Sequence, residues 1–128
     1  MALAEIVSGE QEAYTIAENE QFLAVLESEP MTLGHTLVMP KQSQGAIFEM
    51  ENAWLSDFHL FAKQVAIQLK KAIECKKVGL AVVGLIEPHT HIHLIPLNAS
   101  TDMNFAAPRL NPSPEVMQSV HAAILKQG

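Results

Sequence analysis

A change in hydrophobic period near the middle of the chain limits the possible folds more than any other feature. Between Asn52 and Cys75, apolar side chains recur at steps of three and four. The positions are Trp54, Phe58, Phe61, Val65, Leu69 and Ala72, with Lys63, Gln64, Gln68 and Lys71 elsewhere around the helix. This period predicts a long amphipathic helix whose apolar face packs on a core.

Short segments with strand character lie on both sides of this helix. They are Ala13–Ala17, Gln21–Leu26, His35–Met39, Val78–Val83 and His89–Leu97. The first two flank Glu18-Asn19-Glu20 and therefore predict a hairpin. Val78–Val83 has little polar alternation, which is typical of a central strand. One long helix among five strands favours an antiparallel α+β fold.

The last part of the chain divides into two segments. Asn98–Pro112 has no clear period and predicts an irregular excursion. Ser113 can then act as N-cap, with Pro114 at the first helical position of a short terminal helix. Val116, Met117, Val120 and Ile124 are predicted to face inward from it.

Composition limits the class of protein. The chain has 128 residues, 48% of them hydrophobic, and we expect one domain over residues 1–128. A net charge of -6 without a basic stripe argues against a nucleic-acid partner. The longest apolar run is far shorter than the roughly 20 residues that cross a bilayer, so no membrane partner is expected. A single cysteine, Cys75, and no basic-then-apolar leader predict a cytoplasmic protein.

Three histidines alternate along the last predicted strand, at His89, His91 and His93. Alternate residues of a strand share one face, so the three imidazoles should line up. One interpretation is a solvent-exposed strand that happens to be rich in histidine. A second is metal ligation, with Glu87 or His35 completing the site. The third is acid–base or nucleophilic chemistry, because imidazole titrates near neutral pH.

Several motifs then agree with one family. Pro88-His-Thr-His-Ile-His-Leu-Ile-Pro96, Gly34-His-Thr-Leu-Val-Met-Pro-Lys41 and the stretch from Ile6 to Ala24 match its blocks in order and approximate spacing. On these motifs the chain resembles the histidine triad nucleotide hydrolases and transferases. The resemblance covers most of residues 3 to 97 and implies a five-stranded antiparallel sheet, one long helix, shorter terminal helices and a homodimer.

The resemblance also implies a mechanism and roles for the histidines. His91 matches the nucleophile, which attacks the α-phosphorus of a purine nucleotide and forms a nucleotidyl-histidine that water hydrolyses. His93 matches the residue that binds phosphate and assists the leaving group, and His89 and His35 match the pair that supports the site. No metal or other cofactor is then required.

Nucleoside recognition is also implied by position in the family. Leu3, Ile6, Val25 and Leu26 would form an apolar base pocket, and Glu27 would contact the ribose hydroxyls. The family usually has Asp at the position of Glu27. His59 and His121 lie in predicted helices, where we expect no catalytic role.

The chain departs from the family before the histidine strand. Many members have Gly-Gln-Ser or Gly-Gln-Thr there, with polar side chains that hold the phosphate, whereas this chain has Gly84-Leu85-Ile86-Glu87-Pro88. Ser43 replaces a family histidine, and Glu5 stands where lysine is common. Two functions therefore remain open: a hydrolase of purine nucleoside phosphoramidates or related esters and anhydrides, or a catalytically weak nucleotide-binding protein. A metal-binding protein is the third and least favoured.

Overall fold

The computed structural model describes residues 2–85 and 88–128. Its helices are α1 (Leu3–Ser8), α2 (Asn52–Ala72) and α3 (Pro114–Leu125), with a short 3-10 turn at Ile47–Glu49. Its strands are β1 (Thr15–Glu18), β2 (Phe22–Leu26), β3 (Thr36–Pro40), β4 (Lys77–Ala81) and β5 (Ile92–Leu97). The predicted α+β class, the hairpin and the long helix are confirmed.

The five strands form one antiparallel sheet in the order β1-β2-β3-β5-β4. The register places Val25 opposite Leu37, Leu37 opposite His93, and His93 opposite Ala81. Residues that are paired across neighbouring strands point to the same face of a sheet. His93 therefore shares one face with Leu37 and Val25.

The two faces of the sheet have different chemistry. One face packs against α2 and contributes Ala24, Leu26, Val38, Ile92 and Leu94 to the main hydrophobic core. The other face carries a smaller cluster under α1, formed by Leu3, Ile6, Leu23, Val25, Leu37 and Met39. We call this second side the histidine face, because His93 belongs to it. Alternation along β5 separates the two environments.

The prediction of a central strand at Val78–Val83 is wrong. β4 lies at the edge of the sheet and pairs only with β5. Its side chains are half-buried or exposed, and Leu80 is 49% exposed. The lack of polar alternation in this apolar run therefore does not mean that the strand is buried on both faces.

Two predictions about helix faces also need correction. Gln68 was assigned to the polar side of the long helix, but it is buried. Its burial is tolerated because its Nε2 donates to the carbonyl oxygen of Ile124 at 3.0 Å. Val116 was expected to face inward, but it is 39% exposed, whereas Met117 and Ile124 are buried. Ser113 caps α3 as predicted, accepting from the Val116 amide at 3.3 Å.

The histidine strand is shorter than predicted and begins at Ile92 rather than His89. The carbonyl oxygen of His89 lies 2.9 Å from the ring Nδ1 of His91. This carbonyl therefore accepts a hydrogen bond from a side chain. In the part of the chain that the structure covers, no helix has the length and apolarity needed to cross a membrane.

Candidate active site

Four histidines, His35, His89, His91 and His93, form a buried group that we call the histidine cluster. His35 is fully buried, and the other three are between 6% and 8% exposed. His93 lies on β5, His91 immediately precedes that strand, and His35 immediately precedes β3. Their burial contradicts the interpretation of a solvent-exposed histidine strand.

A chain of hydrogen bonds links three members of the cluster. His35 Nε2 lies 2.9 Å from His93 Nδ1, and His93 Nε2 lies 3.1 Å from His91 Nε2. At one end, the Met31 amide donates to His35 Nδ1 at 3.0 Å. At the other end, His91 Nδ1 lies 2.9 Å from the carbonyl oxygen of His89.

The two backbone groups at the ends of this chain fix the tautomers of the neutral rings. Since an amide N–H can only donate, His35 Nδ1 must accept, and its proton is on Nε2. His35 Nε2 then donates to His93 Nδ1, so His93 carries its proton on Nε2. Since a carbonyl can only accept, His91 has its proton on Nδ1. The His93 proton therefore points at the lone pair of His91 Nε2.

Burial and nearby charge favour the neutral rings. Burial, together with His93, Arg109 and His91, lowers the pKa of His35 to about 3. Burial likewise lowers the pKa of His93 to about 4, and the effects of His91 and Arg109 act in the same direction. At neutral pH, His93 is a hydrogen-bond donor through Nε2 and an acceptor through Nδ1.

His89 has a supporting position at the edge of the cluster. Its Nε2 donates to the carbonyl oxygen of Pro40 at 2.6 Å, which ties the segment before β5 to the end of β3. Its own carbonyl accepts from His91, as described above. His89 thus orients His91 through the backbone.

A cleft of about 310 Å³ lies over His91 and His93. It is lined by Val83, Gly84, Leu85, His91, His93, Phe105 and Arg109. Phe105 and Arg109 come from the irregular segment 98–112, which we call the facing loop. The Phe105 ring meets His93 edge-on, with ring centroids 5.0 Å apart. Ile86 and Glu87, the rest of the departure from the family motif, lie outside the described residues.

Glu27 lies beside the cleft at the end of β2. Its Oε1 is 3.7 Å from Arg109 Nη1, and its side chain is 15% exposed. Burial raises the pKa of Glu27, whereas the positive charge of Arg109 opposes that rise. The partly exposed carboxylate can accept hydrogen bonds from a ligand.

The four apolar residues predicted for the base pocket do not form one group. Leu3, Ile6 and Val25 share the cluster on the histidine face, but Leu26 belongs to the core on the opposite face. Adjacent residues of a strand point to opposite faces, so Val25 and Leu26 cannot line the same pocket. Val25 is fully buried and Leu3 is 1% exposed, so neither side chain offers a surface to a ligand in this structure.

His59 and His121 lie outside the cleft. His59 is exposed on α2, and its Nδ1 donates to the carbonyl oxygen of Leu55 at 2.9 Å. His121 Nε2 donates to the carbonyl oxygen of Thr15 at 2.7 Å, which joins α3 to β1.

Sequence reasoning missed the two cleft residues of the facing loop, Phe105 and Arg109. No periodic pattern connects this loop to the histidines, and only folding brings them together. One signal was present, because Arg109 is the single arginine of the chain. Within the described residues, no group of three His, Cys, Asp or Glu side chains is arranged to hold a metal ion.

Buried imidazoles above a five-stranded antiparallel sheet define a class of histidine-based site, and comparison with known proteins gives its family. A family model described as HIT domain matches residues 8–100. An uncharacterized HIT-like protein of Mycoplasma genitalium is 35% identical over 99 residues, covering 72% of this chain and 69% of that protein. The chain therefore belongs to the HIT-domain family.

Solved structures agree with this assignment. A hypothetical histidine triad nucleotide-binding protein from Sulfolobus tokodaii superposes with a TM-score of 0.82 at 26% identity, covering 99% of this chain and 91% of that one. A zinc-bound histidine triad family protein from Mycobacterium smegmatis has a TM-score of 0.78 at 24% identity, with coverage of 97% and 92%. The second comparison supports the fold alone.

Proposed function

We propose that this protein is a nucleotidyl hydrolase that acts at the α-phosphorus of a purine nucleoside phosphoramidate or a related ester or anhydride. The observation that carries the proposal is the tautomer assignment in the histidine cluster. With Nδ1 protonated against the His89 carbonyl, His91 has its lone pair on Nε2. In this structure the lone pair accepts from His93 Nε2–H, and it becomes available for attack when that N–H donates to a bound phosphate instead. His91 Nε2 borders the cleft and is suited to attack phosphorus.

In the first step, the Nε2 lone pair of His91 forms a bond to the α-phosphorus as the bond to the leaving group breaks. The leaving group takes that electron pair and, when it is an amine, a proton from water in the cleft, while the Nε2–H of His93 donates a hydrogen bond to the reacting groups. The His91 ring gains positive charge, which its Nδ1–H shares with the His89 carbonyl. No metal ion is needed for this step.

In the second step, water attacks the same phosphorus and the bond to His91 Nε2 breaks. The bonding electrons return to the His91 ring, and the proton of the attacking water passes to solvent, which balances the proton taken up by an amine leaving group. The products are a nucleoside monophosphate and the starting form of the protein. A second cavity of about 180 Å³ also borders His91, which leaves space for a leaving group or for water beside the attacking atom.

We assign the nucleoside to the side of the cleft where Glu27 lies. The Glu27 carboxylate is partly exposed beside Arg109 and can accept from ribose hydroxyls. The extra methylene of Glu, compared with the usual Asp, lengthens the reach of this group.

We further propose that the protein works in the cytoplasm as a homodimer that uses α2 and the edge strand β4. Leu60 and Ile67 lie seven positions apart on α2 and are 55% and 48% exposed, and Leu80 of β4 is 49% exposed. An edge strand has backbone groups available for pairing with another chain.

Light scattering tests the proposed dimer. The wild-type protein should have the mass of a dimer, and Leu80→Lys should have the mass of a monomer. A monomeric wild-type protein would contradict this arrangement.

The activity is tested by incubating the protein with adenosine monophosphate linked to an amine through a phosphoramidate bond. Phosphorus NMR should show release of AMP by the wild-type protein and by His59→Ala, a control that removes a histidine outside the cleft. His91→Ala should release none. Tight binding without turnover would instead support the nucleotide-binding alternative, and activity that depends on added zinc would support a metal site.

A further inference from the structure

Arg109 is the one permanently charged side chain that lines the cleft over His91 and His93, counted over the residues the structure describes. The remaining lining residues are apolar side chains, a glycine and the two histidines. In the assigned tautomers, both histidines are neutral. An anionic ligand in this cleft therefore has a single fixed positive charge within reach.

The side chain of Arg109 is already oriented by protein contacts. Its Nη1 donates to the carbonyl oxygen of Glu29 at 2.7 Å and lies 3.7 Å from Glu27 Oε1. A guanidinium has five N–H donors in a fixed plane. In the described structure both contacts use Nη1, so Nε and Nη2 are left to bind a ligand. The side chain is 27% exposed and can be reached from the cleft.

The described residues before the histidine strand offer the cleft no comparable group. Val83 and Leu85 are 46% and 90% exposed, and their side chains cannot donate a hydrogen bond. By the resemblance described above, they occupy the start of the segment in which many members of the family have polar side chains. The facing loop thus supplies a charged donor that this described part of the segment lacks.

We propose that Arg109 binds a non-bridging oxygen of the α-phosphate and gives the site its preference for nucleoside monophosphates over nucleosides. The position follows from its neighbours: Arg109 lies 3.7 Å from Glu27, assigned to the ribose, and lines the same cleft as His91 and His93. The 5′-phosphate joins those two points. Guanidinium–phosphate contacts are charge-assisted and are often bidentate. This inference rests on the proposed function, because it takes a nucleotide as the ligand.

The test is a pair of affinities, for AMP and for adenosine, measured by calorimetry. The wild-type protein should bind AMP more tightly. Arg109→Gln, which keeps a donor for the Glu29 carbonyl, should weaken AMP binding by roughly 10- to 100-fold and leave adenosine binding unchanged. Arg109→Lys should retain part of the preference. Lys126→Gln makes the same change in charge at the end of α3, which packs on α2 and β1, and should have no effect.

Three results would overturn the proposal. The first is an unchanged ratio of AMP to adenosine affinity in Arg109→Gln, and the second is a wild-type protein without a preference for AMP. The third is an equal loss of both affinities, which would indicate a purely structural role through the Glu29 contact.

Turnover of the phosphoramidate by the same proteins separates this inference from the proposed function. Loss of the AMP preference in Arg109→Gln, without turnover by the wild-type protein, would support Arg109 and refute the hydrolase. Turnover that requires His91, with an unchanged preference in Arg109→Gln, would refute only the role of Arg109.

Discussion

The histidine cluster and the facing loop border the same cleft but are held in place by different kinds of bond. His93 lies in a paired strand, opposite Leu37 on one side and Ala81 on the other. The facing loop depends on isolated contacts instead. Asp102 accepts from the amides of Asn98 and Ala99 at 2.8 and 2.9 Å, and the Leu110 amide donates to the Pro30 carbonyl at 2.9 Å.

This difference indicates how the work of the site is divided. In the histidine cluster, each bond fixes where a proton lies, so a single substitution changes the chemistry of its neighbours. In the facing loop, Phe105 and Arg109 contribute an apolar edge and a charge. Changes in the cluster should therefore affect the chemical step, whereas changes in the loop should mainly affect binding.

The largest effect is expected for His91→Ala. Because this change removes the attacking nitrogen, turnover should fall by roughly 10³-fold or more, while AMP affinity changes little. Steady-state kinetics and calorimetry measure the two quantities. His59→Ala is the matched control and should keep both values. Wild-type turnover in His91→Ala would remove the proposed nucleophile.

His93→Ala should have the next largest effect. The loss of its Nε2–H, which donates a hydrogen bond to the reacting groups, should slow nucleotidyl transfer by roughly 10²-fold, as for other hydrogen-bond donors at a reacting centre. Some covalent adduct should still form under single-turnover conditions, because His91 is intact. Complete loss of substrate binding would reassign His93 to a purely binding role.

The stability of the fold should depend on pH through His35 and His93. An unfolded histidine takes up a proton near pH 6.5, whereas the folded pKa values are lowered to about 3 and about 4. Between these limits the unfolded state binds more protons, so the free energy of unfolding should fall as pH drops below about 6.5. The loss should be complete only near pH 3.

Urea unfolding at pH 7.5 and pH 4.5 measures this dependence. His35→Gln removes one of the two titrating groups and should reduce the difference between the two pH values. A free energy of unfolding that is equal at both pH values in the wild-type protein would contradict the lowered pKa values.

The smallest effect is expected in the facing loop at Phe105. Edge-to-face ring contacts contribute about 0.5–1.5 kcal/mol, so Phe105→Ala should reduce kcat/KM by roughly three- to tenfold. Phe105→Leu keeps apolar bulk without a ring, so its kcat/KM should lie between the values of the wild-type protein and Phe105→Ala. A loss as large as that of His93→Ala would show that the loop takes part in the chemical step.

Local periodicity predicted much of the fold. The three- and four-residue steps after Asn52 identified α2, and the alternation from His89 identified β5 and the face that carries His93. These patterns are visible in the sequence because each one arises within a single helix or strand that turns one face to the core.

Features that depend on distant parts of the chain were not predictable in this way. The edge position of β4 is set by which strands pair, and apolar content did not reveal it. The contact of Arg109 with the Glu29 carbonyl joins residues that are 80 positions apart. The error at Leu26 was different, because alternation along the strand already separates it from Val25.

The most direct test is to look for a nucleotide bonded to His91. Intact-mass analysis after a rapid, mildly alkaline quench should show one added nucleoside monophosphoryl group on the wild-type protein, and peptide mapping should locate it at His91. His91→Ala should show none. Turnover without any modified protein, or an adduct that maps to another residue, would contradict the account.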